Sequence, residues 1–146
     1  MWLLIISILI DQLSKFLVCN MTESIIVIPK ILTIEFVKNY GAVFGIMQGS
    51  NYILAVISIV ICIAIMLYIG IQKKNNKSVH VAWYMILSGG IGNLIDRIIR
   101  GYVVDFIATP FIATFNIADS FVVMGVVLLL INEITEMLQA KQQKDK

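Results

Sequence analysis

Long apolar runs, separated by shorter polar segments, dominate this chain. The clearest run, Tyr52–Ile71, spans 20 residues without a charged side chain. As a helix it is long enough to cross a hydrocarbon core of about 30 Å. Similar runs with more polar interruptions cover about 1–19, 82–99 and 119–138. The pattern predicts an all-α integral membrane protein in which four transmembrane helices form a single domain over residues 1–146.

The first long connecting segment has a different, strand-like pattern. Ile25–Ile28 and Ile31–Val37 are rich in β-branched residues, and Pro29 separates them. Such runs favour short strands. We expect a small β-rich cradle on the outer face of the membrane, with an irregular apolar loop as the alternative.

The distribution of lysines predicts the orientation in the membrane. Positively charged residues concentrate in short cytoplasmic loops. We therefore expect a cytoplasmic loop at about 72–81, a cytoplasmic tail at about 139–146 and a cytoplasmic N-terminus, which leaves outer segments at about 20–51 and 100–118. The lysines concerned are Lys73, Lys74, Lys77, Lys141, Lys144 and Lys146.

Composition supports a membrane protein. The chain is 60% hydrophobic and 14% charged, outside the usual range of soluble domains. The net charge of +2 gives no indication of nucleic-acid binding. The first apolar run contains Asp11 and Lys15 and lacks the basic start and small-residue cleavage site of a signal peptide, so we expect it to be retained as a helix.

Four aspartates lie within or beside the apolar runs. A charged side chain at bilayer depth costs about 3 kcal/mol or more, so such residues usually face the protein interior and serve a function. In the predicted orientation all four lie near the outer membrane boundary, which indicates a functional site at that level. They are Asp11, Asp96, Asp105 and Asp119.

Several polar residues also fit purely structural roles. Asp11 and Lys15 are four residues apart on one helix face and can neutralise each other. Asp96 and Arg97 can form a polar pair at a helix interface, and Asn116 can cap the fourth helix. These alternatives stay open from the sequence alone.

Asp105 and Asp119 are the stronger candidates for chemistry, because neither has a basic neighbour in sequence and both lie among apolar residues. Two carboxylates in a poorly solvated site share one proton. The ionised one can then activate water while the protonated one polarises a carbonyl, as in aspartic proteases. The pair therefore indicates peptide hydrolysis without a metal.

Other functions fit the residues less well. A Ser–His mechanism would need His80, which the lysine pattern places on the cytoplasmic side, and a zinc site lacks ligands. A carboxylate-bound Ca²⁺ or Mg²⁺ in a metal hydrolase is possible by residue type. The main alternative is a small ion- or proton-coupled transporter that uses the carboxylates as a relay. A non-catalytic lipid-binding module is a further possibility.

Five motifs, in chain order, resemble those of the bacterial lipoprotein signal peptidases, also called signal peptidase II. The resemblance extends over essentially the whole chain and implies an aspartic endopeptidase of the bacterial cytoplasmic membrane. Such enzymes remove the signal peptide from diacylglyceryl-modified prolipoproteins immediately before the lipidated cysteine. The motifs are Asp11–Lys15, Asn39–Phe44, Gly92–Arg97, Val104–Phe106 and Phe115–Asp119.

The resemblance also implies roles for individual residues. Asp105 and Asp119 would be the catalytic dyad, and no metal or cofactor is implied. Residues implied to hold the substrate backbone or to shape the hydrogen bonds of the dyad are Asn39, Asn93, Arg97 and Asn116; supporting residues are Asp11, Lys15, Asp96 and Gly41.

The implied partners are the prolipoprotein substrate and membrane lipid, without nucleic acid. We expect a monomer that is inhibited by cyclic peptides such as globomycin, bound at the dyad.

Overall fold

A computed structural model describes residues 2–41, 51–71 and 76–144. Within these ranges the fold is mostly helical, with a small antiparallel sheet. The elements are α1 (Trp2–Cys19), β1 (Ile25–Ile28), β2 (Leu32–Asn39), α2 (Asn51–Ile71), α3 (Lys77–Ile99), β3 (Val103–Ala108) and α4 (Ile117–Lys144).

Some sequence features lie outside the described residues. They include the second half of the Asn39–Phe44 motif and the loop lysines Lys73 and Lys74, together with Lys146 at the end of the tail.

Three of the described helices, α1, α2 and α4, are long and apolar enough to cross a membrane. The sequence predicted four such helices, and α3 is not among these three. Its second half carries Asn93, Asp96 and Arg97 on one face, and these polar residues lower its apolar character. What α3 provides instead is a central position, since it packs against α1, α2 and α4.

Two helices extend beyond their predicted bounds. α3 begins at Lys77, not near residue 82, because the side chain of Asn76 accepts a hydrogen bond from the backbone N–H of Ser78 and caps the helix. α4 begins at Ile117 and continues to Lys144, whereas 119–138 was predicted. Residues 77–81 and 139–144, which the sequence placed in a connecting loop and a tail, are therefore helical in the structure.

The sheet has three strands in the order β1-β2-β3, one more than was predicted. Lys30 adopts a positive φ of 62° in the turn between β1 and β2, so that β2 begins at Leu32. The third strand comes from the segment after α3 and pairs antiparallel with β2, with Val37 opposite Asp105. This pairing brings the end of β2 beside one of the candidate catalytic residues.

Small residues allow α3 and α4 to approach closely. A Cβ atom on Gly89 would lie 2.3 Å from the backbone oxygen of Ala118, and one on Gly92 would lie 2.6 Å from Oδ2 of Asp11. Glycine at such positions lets helix backbones pack closely. As a result the start of α4, the second half of α3 and the middle of α1 meet at one level of the structure.

Candidate active site

Asp105 lies on β3 and is buried, with 2% of its surface exposed. Its carboxylate accepts hydrogen bonds from Nδ2 of Asn39 (2.8 Å) and from Nδ2 of Asn116 (2.8 Å). Burial raises the pKa of Asp105 to about 6, and the nearby charge of Asp119 adds to the effect; the hydrogen bonds from the two asparagines oppose it. A buried carboxyl of this kind retains a proton at higher pH than an exposed one.

Asp119 lies in the first turn of α4, in a reciprocal capping arrangement with Asn116. The backbone N–H of Asp119 donates to Oδ1 of Asn116 (2.9 Å), and the backbone N–H of Asn116 donates to Oδ2 of Asp119 (3.2 Å). This is the geometry of a capping box, with aspartate in the position where glutamate or glutamine is usual. The helix start therefore fixes the position and orientation of the carboxylate.

Asn116 connects the two carboxylates. It is fully buried, its backbone N–H contacts Asp119, and its side-chain Nδ2 contacts Asp105. The same Nδ2 lies 3.2 Å from the carbonyl oxygen of Val104. Asn116 thus has the capping role predicted as one alternative, and it also brings the two aspartates into one site.

Asn93, on α3, donates from Nδ2 to Oδ1 of Asp119 at 2.8 Å. Its own Oδ1 accepts from Nζ of Lys15 (3.0 Å) and from Nδ2 of Asn116 (3.0 Å). Both ends of the Asn93 amide are therefore used, one toward the dyad and one toward α1.

Asp11 and Lys15 form an ion pair across one turn of α1, with 2.9 Å between Oδ2 and Nζ. Asp11 also accepts a hydrogen bond from the backbone N–H of Ala118 (2.8 Å). That N–H belongs to the first turn of α4, where the helix has no internal acceptor for it. A carboxylate on α1 thus helps to cap the helix that carries Asp119.

Asp96 is fully buried and is surrounded by donors. Its Oδ2 lies 3.0 Å from Nζ of Lys15 and accepts from the backbone N–H of Val104 (3.0 Å), while its Oδ1 forms an ion pair with Arg100. Asp96 therefore ties α3 to α1 and to the start of β3. The partner of Asp96 is Arg100 on the next turn, whereas the sequence had suggested Arg97.

Arg97 and Asn39 both contact Gly41, beside the two aspartates. Nδ2 of Asn39 contacts Asp105, and its Oδ1 accepts from the backbone N–H of Gly41 (2.9 Å). Arg97 contacts the carbonyl oxygens of Asn93 and Gly41 only at 3.4 and 3.5 Å. Among the described residues, the hydrogen bonds of the guanidinium are therefore long, and it interacts electrostatically with Asp105 and Asp119.

The structure brings all ten sequence-predicted site residues into one connected network around Asp105 and Asp119. Sequence reasoning gave no role to Gln12 and Arg100, although both join this network. Gln12 Nε2 lies 3.1 Å from the carbonyl oxygen of Gly92, and Arg100 donates to Gln12 Oε1 at 3.2 Å. A usable signal was present, since Arg100 is four residues after Asp96 on the same helix face.

Comparison with known proteins identifies the family. The sequence model described as signal peptidase (SPase) II matches residues 3–135. The chain belongs to the signal peptidase II family. The resemblance of the five motifs is thereby confirmed, and the protein is a membrane peptidase of the aspartic type. The transporter alternative is not supported.

Relatives match over nearly the whole chain. The lipoprotein signal peptidase of Halalkalibacterium halodurans is 37% identical, over 97% of this chain and 95% of the relative. That of Halothermothrix orenii is 38% identical, over 87% of this chain and 89% of the relative. A solved bacterial membrane enzyme, determined by the in meso method at 2.3 Å resolution, has a TM-score of 0.87 and 32% identity, covering 93% of this chain and 87% of that one.

Proposed function

We propose that this peptidase cleaves the signal peptide from diacylglyceryl-modified prolipoproteins immediately before the lipidated cysteine, with Asp105 and Asp119 as the catalytic dyad. The observation that carries the assignment is the bridge made by Asn116, which donates to both carboxylates. Membership of the signal peptidase II family supports the choice of substrate.

The dyad would act by general acid–base catalysis. The ionised carboxylate takes a proton from a water molecule, whose oxygen attacks the scissile carbonyl carbon, while the protonated carboxyl donates its proton to the carbonyl oxygen. Collapse of the tetrahedral intermediate breaks the C–N bond: the departing amine receives a proton from one carboxyl of the dyad, and a hydroxyl of the intermediate returns its proton to the other carboxylate as the product carboxylic acid forms. The cycle ends with one proton again shared between Asp105 and Asp119.

The neighbouring residues divide between orienting the dyad and binding the substrate. Asn39 and Asn93 donate to the two carboxylates, which supports an orienting role. The hydrogen bonds that Arg97 makes to other described residues are long, at 3.4 and 3.5 Å, which supports a role for its donors in binding a peptide carbonyl of the substrate. Gly41, which contacts both Asn39 and Arg97, would help to form the entrance to the site.

For the membrane arrangement we propose that α1 to α4 all cross the bacterial cytoplasmic membrane, with both termini in the cytoplasm and the dyad at the outer boundary. Lys77 and Lys141 lie at the ends of α3 and α4 that are remote from the sheet, as the positive-inside rule would require. The substrate's acyl chains could then stay in the outer leaflet while its scissile bond reaches the dyad.

One copy of the chain contains both aspartates, so a monomer would suffice for catalysis. Cyclic peptides of the globomycin type are expected to bind at the dyad.

The first experiment is cleavage of a diacylglyceryl-modified prolipoprotein by the purified protein in detergent, with EDTA present throughout. The matched control is the same prolipoprotein without the diacylglyceryl group. We expect a gel shift only with the modified form, and mass spectrometry should place the new N-terminus at the lipidated cysteine. Absence of cleavage by the folded wild type, equal cleavage of both forms, or dependence on a metal would contradict the proposal.

The raised pKa of Asp105 predicts a specific pH dependence. Because that pKa is about 6 in the free enzyme, the dyad loses its shared proton as the pH rises through this value, and kcat/KM should fall on the alkaline side. Bound substrate excludes further water and strengthens desolvation, so the alkaline limb of kcat should lie at higher pH. Initial rates measured from about pH 5 to about pH 8 test this.

Asn39→Ala provides the matched variant for the pH profile. The Asn39 hydrogen bond favours the ionised form of Asp105, so its removal should move the alkaline limb of kcat/KM to higher pH. A profile that is flat in the wild type, or a limb that moves to lower pH in Asn39→Ala, would show that Asp105 does not hold the shared proton.

A further inference from the structure

Lys15 carries a charge and yet is fully buried, in contact with polar side chains. None of its surface is exposed, and its Nζ lies 2.9 Å from Oδ2 of Asp11 and 3.0 Å from Oδ2 of Asp96. Arg100 supplies a second cation to Asp96. The two carboxylates and two cations therefore balance within the network, yet Nζ makes a third contact, at 3.0 Å to Oδ1 of Asn93.

This third contact determines which end of the Asn93 amide faces the dyad. A side-chain amide can present either an oxygen acceptor or an NH₂ donor, whereas a lysine ammonium only donates. With Lys15 on one side, the oxygen of Asn93 must point toward α1. Nδ2 then points toward Asp119, where it lies 2.8 Å from Oδ1. The Asn116 side chain also donates to Oδ1 of Asn93, but Lys15 supplies the charged donor.

The surroundings of the two aspartates differ in a way that separates their roles. Asp119 is half-buried, lies in the first turn of α4 and accepts from Asn93 and from the backbone N–H of Asn116. A helix N-terminus favours negative charge. Asp105 is buried in a strand between Val104 and Phe106, which are themselves buried. Desolvation disfavours its charged form.

Other charged groups also face the dyad. Arg97 on α3 interacts electrostatically with both Asp105 and Asp119. Asp96 on α3 and Asp11 on α1 lie behind Lys15, and Asp11 contacts the start of α4 through Ala118.

We propose that Lys15 is a positioning residue, which fixes the Asn93 amide and thereby keeps Asp119 as the ionised member of the dyad. Asp119 then takes the proton from water, and Asp105 carries the shared proton that it gives to the scissile carbonyl oxygen. This inference rests on the proposed peptidase function. It assigns the two aspartates different roles and gives a buried lysine on α1 influence over the chemistry.

The test is the acid limb of the kcat/KM profile for prolipoprotein cleavage. Lys15→Met alone would leave a buried charge unbalanced, so it is combined with Asp11→Asn. This pair removes one positive and one negative charge, while asparagine can still accept from the N–H of Ala118. Without the lysine donor, ionised Asp119 is less well stabilised, and the acid limb should move to higher pH by about one unit.

Two further variants show whether the effect travels through Asn93. Asn93→Ala removes the same donor from Asp119 and should produce a similar shift. In the triple variant Asp11→Asn/Lys15→Met/Asn93→Ala the acid limb should shift no further, because the loss of Lys15 and the loss of Asn93 both act on the same hydrogen bond, from Asn93 to Asp119. The control, Lys38→Met, removes an exposed cation that lies over the rings of Phe36 and Tyr102 on the sheet, outside this network, and its acid limb should stay at the wild-type position.

Each outcome bears on the proposal in a distinct way. An unshifted acid limb in the folded charge-balanced pair, or shifts that add fully in the triple variant, would overturn it. If the pair does not fold, Asn93→Ala decides alone, and an unshifted limb there is equally contrary. A wild type that does not cleave would instead refute the proposed function, whereas a cleaving wild type with unshifted variants would refute only this inference.

Discussion

Replacing either Asp105 or Asp119 by asparagine is expected to lower kcat/KM for prolipoprotein cleavage by about a thousandfold or more. General acid–base catalysis contributes roughly 10² to 10⁴ per group, and an amide can neither take a proton from water nor hold the shared proton. At position 105 the amide would also turn an NH₂ group toward donors, because Asn39 and Asn116 both donate to this carboxylate. The measurement is the initial rate of signal-peptide release in detergent.

Glu35→Gln is the matched control for these variants. It removes a carboxylate from β2, in the same sheet as Asp105, but lies outside the network around the dyad, and it should leave kcat/KM close to the wild-type value.

Asp96→Asn should chiefly lower stability, since Asp96 is held by Lys15, Arg100 and the backbone of β3. Cleavage that survives in either dyad variant would mean that the wrong carboxylates have been paired, with Asp96 the next candidate.

Gly89→Ala is expected to destabilise the protein by about 2 kcal/mol, because overpacking at a close helix contact forces the backbones apart. The added Cβ would lie 2.3 Å from the carbonyl oxygen of Ala118 and 2.6 Å from Cγ2 of Val122. Neither the backbone of α4 nor its first turn can move without displacing Asp119. We therefore expect a melting temperature in detergent lower by several degrees, together with reduced cleavage.

The same substitution at Gly70 serves as the control. A Cβ on that residue, at the end of α2, would meet nothing within 4 Å, and alanine is the better helix former. Gly70→Ala should leave the melting temperature unchanged or raise it slightly. Equal destabilisation by the two variants would show that the α3–α4 approach is not specially tight at Gly89.

Much of the helical architecture could be predicted from hydrophobic pattern alone. The run Tyr52–Ile71 predicted α2 to within one residue at its start, because an uncharged apolar run of this length is typical of a membrane-spanning helix. The predicted helices omitted the first residues of α3 and the last residues of α4, because polar residues interrupt the apolar pattern there. The apolar character of α3 was overestimated for the same reason, as only α1, α2 and α4 qualify as spans among the described helices.

The sheet was only half predicted. β1 and β2 have the β-branched pattern of strands, whereas β3 was seen as an extended stretch with no assigned partner. Strand pairing between β2 and β3 joins residues such as Val37 and Asp105, which are far apart in sequence. No local pattern specifies such a partner.

The linear sequence shows which charged residues are unusual for a membrane protein, and its five motifs, in their order, indicate the family. The pairing of residues that are distant in the chain comes from the fold alone: Lys15 on α1 contacts Asn93 on α3, and Asp11 on α1 contacts Ala118 at the start of α4. The contacts concerned join residues 78 positions apart, as for Lys15 and Asn93, or 107 apart, as for Asp11 and Ala118. Helical periodicity extends only over neighbouring turns, so such pairings arise from helix packing and remain hidden in the linear chain.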